Sequence, residues 1–378
     1  MALLPAHRRY LGPCALALLV LVMLGSLIPD PVLGGWHPFM VAQKASFGGK
    51  LDALCRALRQ YAGDNFGYAG TLPYLRGALE YAAMTPSDPR VYFGRGMHLF
   101  YSGENQVNQS TGSVYRSDQI RHFVDVVDAT RRALALTGGD VVVLVPPNPQ
   151  SVLTQDQPAW WRISGPLEYD LAMRELRERG ITTVDLKAAF VASPDRDLLY
   201  RHADAHWRWN AALLAFNMTM NSIGHDEWSL DPATSLTPLS PVPAGDLARL
   251  LGLQDRLSDA DYAVRIGPPA GTWTPINVFR ALPAYVLDLR YTLEQTSQGE
   301  RLLVLGDSFT WEYWQPLLKH SGAARIGWMH FLGCTFDFTD VARFAPTHLI
   351  IAPTERNIAC GLSGWPQGLP RDPAAASR

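Results

Sequence analysis

Three residues in this sequence have the types and surroundings that serine acyl chemistry requires. In RLLVLGDSFTWEYWQPLLKH an apolar run stops at Gly306 and a helical pattern starts near Phe309, which places Ser308 in the turn between them. A hydroxyl there projects from the carboxyl end of a strand, and free N–H groups at the helix start can stabilise an oxyanion. Serine is a weak nucleophile at neutral pH, so it needs a base, and the base needs a partner that fixes its tautomer. The segment RHADAHWRWN supplies both, with His206 as base and Asp204 as orienting acid. Two residues apart in an extended segment, their side chains would point the same way. His202 is the local rival among ten histidines. Asp307 and Ser308 have a plainer role open to them as helix N-caps. Trp207 and Trp209 either pack the segment or stack on a sugar.

Positioning such a serine calls for a strand-turn-helix unit inside an α/β domain. Five short apolar runs bounded by turn residues meet that need: VVVLV at 141–145, ITTV at 181–184, RLLVL at 301–305, ARIGW at 324–328 and HLIIA at 348–352. Each reads as a buried parallel strand. Helical patterns at 115–136, 167–179, 208–223 and 309–320 alternate with them, which predicts a doubly wound parallel sheet in three α/β/α layers. Asp231 to Ala244 contains four prolines and reads as an exposed excursion.

The rest of the chain bounds location and partners. It has 378 residues, 47% hydrophobic and 18% charged, enough for a sizeable core without a metal. With 33 basic against 35 acidic residues and no basic run, nucleic acid is excluded as a partner. Residues 10–28 carry no charge and follow His7, Arg8 and Arg9. They predict a single-pass inner-membrane helix, with everything after Asp30 exported to the periplasm. A retained anchor is preferred to a cleaved signal, because Val32-Leu33-Gly34 is a weak cleavage site. The expected divisions are 1–30 stub and anchor, 31–89 helical segment with two helices within 50–84, 90–366 catalytic domain, and 367–378 disordered tail. No metal-ligand spacing is evident, and Cys55, Cys334 and Cys360 leave their pairing open in an oxidising compartment.

At the two motifs the chain resembles the alginate O-acetyltransferase family, the AlgJ and AlgX proteins, whose SGNH hydrolase-like domain has an Asp-x-His-Trp segment upstream of a Gly-Asp-Ser-Phe turn. Here these are Asp204-Ala205-His206-Trp207 and Gly306-Asp307-Ser308-Phe309. Ordinary SGNH esterases carry their Asp-x-x-His block after the serine. Weaker echoes are YAGDNFGYAGTLPYLRGAL near residue 61, VYFGRGMHLFYSGEN at 91–105, VLVPPNPQSV at 143–152, GDLARLLGL at 245–253 and HLIIAPTERNI at 348–358. His98 stands where the family usually has Trp.

The resemblance implies nucleophile for Ser308, base for His206 and orienting acid for Asp204, with Asp307, Trp207, Glu355 and Arg356 as supporting residues. Glu355 and Arg356 could equally form a surface ion pair. The single-domain AlgJ arrangement is the nearer of the two. The implied reaction is transfer of acetyl through an acyl-serine onto hydroxyls of an exported polysaccharide, without a cofactor. A membrane-bound O-acyltransferase would supply the acetyl group. Two other readings use the same residues: an SGNH esterase or deacetylase, and a non-catalytic polysaccharide-binding subunit of an envelope complex.

Overall fold

A computed structural model describes residues 4–25, 28, 55, 57, 59, 68, 70–269, 271–281 and 289–371. The chain divides into two units, Met1–Asp88 with Ala248–Arg256, and Pro89–Leu247 with Leu257–Arg378. The division falls one residue before the expected 89/90 boundary, and the segment 248–256 belongs with the first unit.

In the first unit the apolar stretch forms helix Leu4–Gly25, with Pro13 inside it. Its uncharged part, residues 10–25, rises about 24 Å at ~1.5 Å per residue, short of a ~30 Å hydrocarbon core. Among the described residues no helix is long and apolar enough to cross a membrane, so the expected anchor over 10–28 is not supported. Of the two helices expected within 50–84, Thr71–Ala83 is present. The other falls mostly outside the described residues.

The second unit holds eleven described strands: β1 Val91–Phe93, β2 Leu99–Tyr101, β3 Asp140–Leu144, β4 Thr182–Val184, β5 Ser240–Pro243, β6 Ser258–Asp261, β7 Thr274–Pro275, β8 Tyr291–Glu294, β9 Arg301–Gly306, β10 Arg325–His330 and β11 His348–Ala352. Seven form the central sheet in the order β4-β3-β11-β9-β10-β8-β7. The five runs singled out in the sequence are its parallel strands, and β8 and β7 add an antiparallel edge. The pairs β1–β2 and β5–β6 are separate two-stranded antiparallel sheets.

Alternation along the parallel strands separates two cores. Val142, Leu144, Val304, Ile326, Trp328 and Ile350 face the helices Leu186–Ala192, Trp209–Ser222 and Ser308–His320. Their neighbours Val141, Val143, Leu303, Leu305, Met329 and Ile351 face Ser117–Ala135, Glu168–Glu178 and Phe338–Phe344. Both sheet faces are thus covered, which is why these strands read as continuous apolar runs rather than alternating ones. The layering is the α/β/α sandwich expected.

Two expectations at the margins need correction. The proline-rich stretch 231–244 is largely exposed but not irregular, since it contains helix Pro232–Ser235 and strand β5. The expected tail does not begin at 367: the Gln367 N–H donates to Phe336, its carbonyl accepts from Phe338, and Leu369 is buried. Residues 372–378 lie outside the described set. Of the possible pairings, Cys334–Cys360 forms the disulfide, and Cys14 and Cys55 are free.

Candidate active site

Strand β9 ends at Gly306 and the helix Ser308–His320 begins immediately, capped by Asp307. A Cβ on Gly306 would lie 2.0 Å from Thr310 Oγ1, so only glycine lets the helix fold back this tightly on its strand. Asp307 Oδ1 accepts from the Phe309 amide at 3.1 Å. Its Oδ2 accepts from the Thr354 amide at 2.8 Å and from Asn357 Nδ2 at 3.1 Å. The N-cap reading is therefore right for Asp307, which also ties the Ser308 turn to the loop after β11. Ser308 keeps its hydroxyl for another partner. Its amide is the first of the helix's unpaired N–H groups and donates to no described residue.

That partner is His206, whose Nε2 stands 2.9 Å from Ser308 Oγ. Its Nδ1 is 2.7 Å from Asp204 Oδ1, so the three side chains form one hydrogen-bonded line. The local geometry differs from the expected extended segment. Residues 202–206 form a bend closed by the Tyr200–Trp207 bridge. Within it Asp204 Oδ1 accepts from both the His206 amide, at 3.0 Å, and the ring. Two acids pin this bend from below: Ala203 N–H donates to Asp259 at 2.7 Å, and Ala205 N–H to Asp246 at 2.8 Å.

Electrostatics favour a poised base. Burial works against charge on both partners, yet the mutual hydrogen bond and the Arg201 guanidinium, 2.8 Å from Asp204 Oδ2, hold Asp204 well below the usual carboxylate range. For His206, burial would lower the pKa, but the Asp204 bond and charge dominate and raise it above 6.5. Asp246 is raised by burial and by the neighbouring Asp204 charge. Asp204, His206 and Asp246 could together offer three atoms to a metal. Both His206 nitrogens are already engaged, so an ion there would have to displace the serine.

The supporting residues sort differently from expectation. Trp207 is fully buried and donates Nε1–H to the Phe309 carbonyl at 3.1 Å, while its own carbonyl accepts from Tyr313 at 2.7 Å. It locks the histidine loop to the helix Ser308–His320 and is closed to any sugar. Glu355 and Arg356 do not pair with each other. Glu355 is buried, accepts from the Asn148 amide and the Ser151 hydroxyl, and is pushed up to about 7 by burial. Arg356 bonds Glu104 at 2.9 Å and lies over the Phe309 ring at 5.3 Å. The His98 and His202 rings lie tilted against each other with centroids 4.6 Å apart, and burial holds His98 neutral, its pKa pushed down to about 3. It is His206, not the local rival His202, that bonds the Ser308 hydroxyl.

Two residues with no local motif also belong here. Asp246, in the GDLARLLGL stretch, is the one that sequence resemblance touched. His330, at the carboxyl end of β10, had no signal. It shares a cavity of about 230 Å³ with Asp307, Leu332, Gly333, Pro353 and Asn357, beside the serine turn. Its Nδ1 accepts from the Leu332 amide at 3.1 Å and burial depresses its pKa, so the neutral ring presents Nε2–H as a donor. The cavity is smaller than the ~300–1,000 Å³ of drug-sized sites. It suits a single small group.

Residues 91–268 match the family model described as the SGNH hydrolase-like domain of acetyltransferase AlgX. That span includes Asp204 and His206 and stops before Ser308. Among solved structures, the O-acetyltransferase domain of Pseudomonas putida AlgJ is 15% identical, with a TM-score of 0.49 over 76% of this chain and 97% of that one. Bacillus cereus PatB1 is 14% identical, at 0.45 over 71% and 97%. Pseudomonas aeruginosa AlgX is 15% identical, at 0.44 over 73% and 67%. Superpositions of that extent decide nothing about function. Among curated proteins none matches the chain. Over residues 91–268, then, the chain is similar to the SGNH hydrolase-like domain of acetyltransferase AlgX.

Proposed function

We propose that this chain is an exported O-acetyltransferase that passes acetyl through Ser308 onto hydroxyls of a polysaccharide. The observation that carries the reading is the unbroken line from Asp204 Oδ1 through His206 to Ser308 Oγ, at 2.7 and 2.9 Å. In the first half, His206 Nε2 takes the hydroxyl proton as Oγ attacks the acetyl carbonyl, and Asp204 stabilises the imidazolium. The Ser308 amide faces the developing oxyanion. Collapse expels the donor's leaving group, which takes the proton from His206. In the second half a sugar hydroxyl gives its proton to His206 and attacks the acyl-serine, and the proton returns to Oγ. No cofactor takes part.

Location and partners follow from the same reading. The Cys334–Cys360 disulfide supports an oxidising compartment, the periplasmic face of the inner membrane. Acetyl-CoA is not expected there, so a membrane-bound O-acyltransferase is the expected acetyl supplier. The 230 Å³ cavity beside the serine turn, with the His330 ring in its wall, supports a place there for a group as small as acetyl.

Intact-protein mass after exposure to an activated acetyl ester tests the proposal. A single added acetyl should appear on Ser308 and be absent from Ser308→Ala. With polysaccharide present the adduct should decay into acetylated sugar. Release of acetate alone, with no sugar product across a panel of polymers, would replace the transferase by an esterase.

A further inference from the structure

A second cluster of side chains lies at the other end of the sheet, where β3, β9 and β11 begin. His348 opens β11, Asp140 opens β3 in register with it, and Glu300 immediately precedes β9. His225 reaches the same place from the turn after helix Trp209–Ser222, its ring flat on the Trp228 indole at 3.7 Å. One ring nitrogen from each histidine and a Glu300 carboxylate oxygen lie within 4.8 Å of one another.

The far side of each imidazole is already fixed. His348 Nδ1 is held by Asp140 at 2.7 Å, and His225 Nδ1 by Glu227 at 2.9 Å. Both bonds set the ring so that Nε2 carries the free lone pair, as carboxylates do behind metal-bound histidines. His348 Nε2 stands 3.4 Å from Glu300 Oε2. That is long for a charge-assisted hydrogen bond, but tetrahedral bonds of ~2.0–2.1 Å place ligand atoms roughly 3.3 Å apart. The charge count points the same way. Three carboxylates, Asp140, Glu227 and Glu300, gather around two imidazoles, and among the described residues no Lys or Arg pairs with any of them.

We propose that His225, His348 and Glu300 bind a divalent late transition ion of the zinc class, with water in the fourth position. Imidazole with carboxylate suits zinc and its neighbours, whereas magnesium and calcium take oxygen ligands throughout. The ion ties the starts of β9 and β11 to the His225 turn. Its role is structural, because Ser308 lies at the opposite ends of these strands.

The full chain, purified without a polyhistidine tag and stripped with chelator, would be titrated calorimetrically with zinc chloride. One zinc per chain is expected, with binding weakened at least tenfold in Glu300→Gln and in a His225→Ala/His348→Ala double variant. Asp140→Asn and Glu227→Gln should weaken it by about 10–100-fold, although neither touches the ion. Glu227 is exposed, so its variant keeps the test open if a strand variant folds poorly. Zinc should raise the thermal midpoint of the parent and leave that of the double variant unchanged. Acylation of Ser308 in the stripped protein should match that of the loaded protein. Absence of uptake, uptake that survives the double variant, or uptake abolished by Asp246→Asn would each overturn the assignment, the last by placing the ion beside His206.

Discussion

Replacing Gly245 by alanine tests the site through a residue that takes no part in the chemistry. An ideal Cβ there would lie 1.6 Å from Asp204 Oδ2, 2.2 Å from its Cγ and 2.5 Å from its Cβ. Ordinary carbon contacts begin near ~3.5 Å, so the carboxylate must retreat by more than ~1 Å. Because the clash reaches the Asp204 Cβ, side-chain rotation cannot relieve it. A bond of 2.7 Å to His206 does not survive such a shift as a hydrogen bond. Misplacement by ~1 Å costs about 10²-fold, and outright loss of the orienting acid about 10⁴-fold, so kcat should fall by about 10²–10⁴, or roughly 3–5 kcal/mol of barrier. Overpacking adds a stability loss of about 1–3 kcal/mol. The assay is the rate of Ser308 acylation against pH. With Asp204 in place the raised His206 pKa sets the acid limb above 6.5, and activity falls as pH drops through it, because the protonated ring cannot accept a proton. In Gly245→Ala that limb should move down toward ~6.5, the ordinary imidazole value. An Asp204→Gly background removes all three clashing atoms, and there the alanine should cost little. A folded Gly245→Ala chain with kcat within about twofold of the parent refutes the geometry from which these magnitudes are worked.

Three further outcomes follow from groups around the same turn. Asp307→Ala removes the helix cap, worth about 0.5–2 kcal/mol, and strands the buried Thr354 amide at a further cost of about 1–3 kcal/mol; denaturant unfolding reads the loss and acylation rate reads the displaced serine. Replacing Cys334 and Cys360 by alanine opens a loop with a sequence separation of 26, which chain entropy values at about 3.5 kcal/mol, and the parent treated with reductant should show a comparable drop in midpoint. Glu355 is buried with its pKa raised to about 7, so the folded chain holds a proton that the unfolded chain releases near 4.5. Stability should therefore decline by about 3 kcal/mol as pH rises from about 4.5 to about 7, and Glu355→Gln should flatten that stretch of the pH–stability curve.

The parallel strands were legible because burial on both faces turns each into an uninterrupted apolar run, as in RLLVL and HLIIA. The antiparallel edge was not. Thr274–Pro275 is two residues long, and Tyr291–Glu294 mixes apolar with charged residues, so neither rises above the turn residues around it. The same limit governs the site. Ser308, His206 and Asp204 sit in contiguous motifs whose residue types state their chemistry. Gly245, Asp246, Asn357 and His330 come from segments distant in sequence, and no spacing rule links them to the serine. Trp207 could be read as sugar platform or as packing, since an aromatic in a polar segment serves either. The Phe309 carbonyl, 3.1 Å from its Nε1, decides for packing.

That bond also explains how a histidine joins a serine about a hundred residues later in the chain. Helices Trp209–Ser222 and Ser308–His320 pack on the same face of the sheet, and side-chain bonds set their mutual register: Trp314 Nε1 to the Ala212 carbonyl at 3.2 Å, Trp207 Nε1 to that of Phe309, and Tyr313 to that of Trp207. All three groups on the serine side lie within six residues of Ser308, and those on the histidine side within six of His206. The His206–Ser308 distance is thus fixed by helix packing and not by the connecting chain, so the Asp-x-His segment can precede the serine without geometric penalty. A substitution that spares the triad but removes one of these bonds, such as Tyr313→Phe, should lengthen the His206–Ser308 contact and lower the acylation rate, while leaving the raised His206 pKa, which depends on Asp204, where it is.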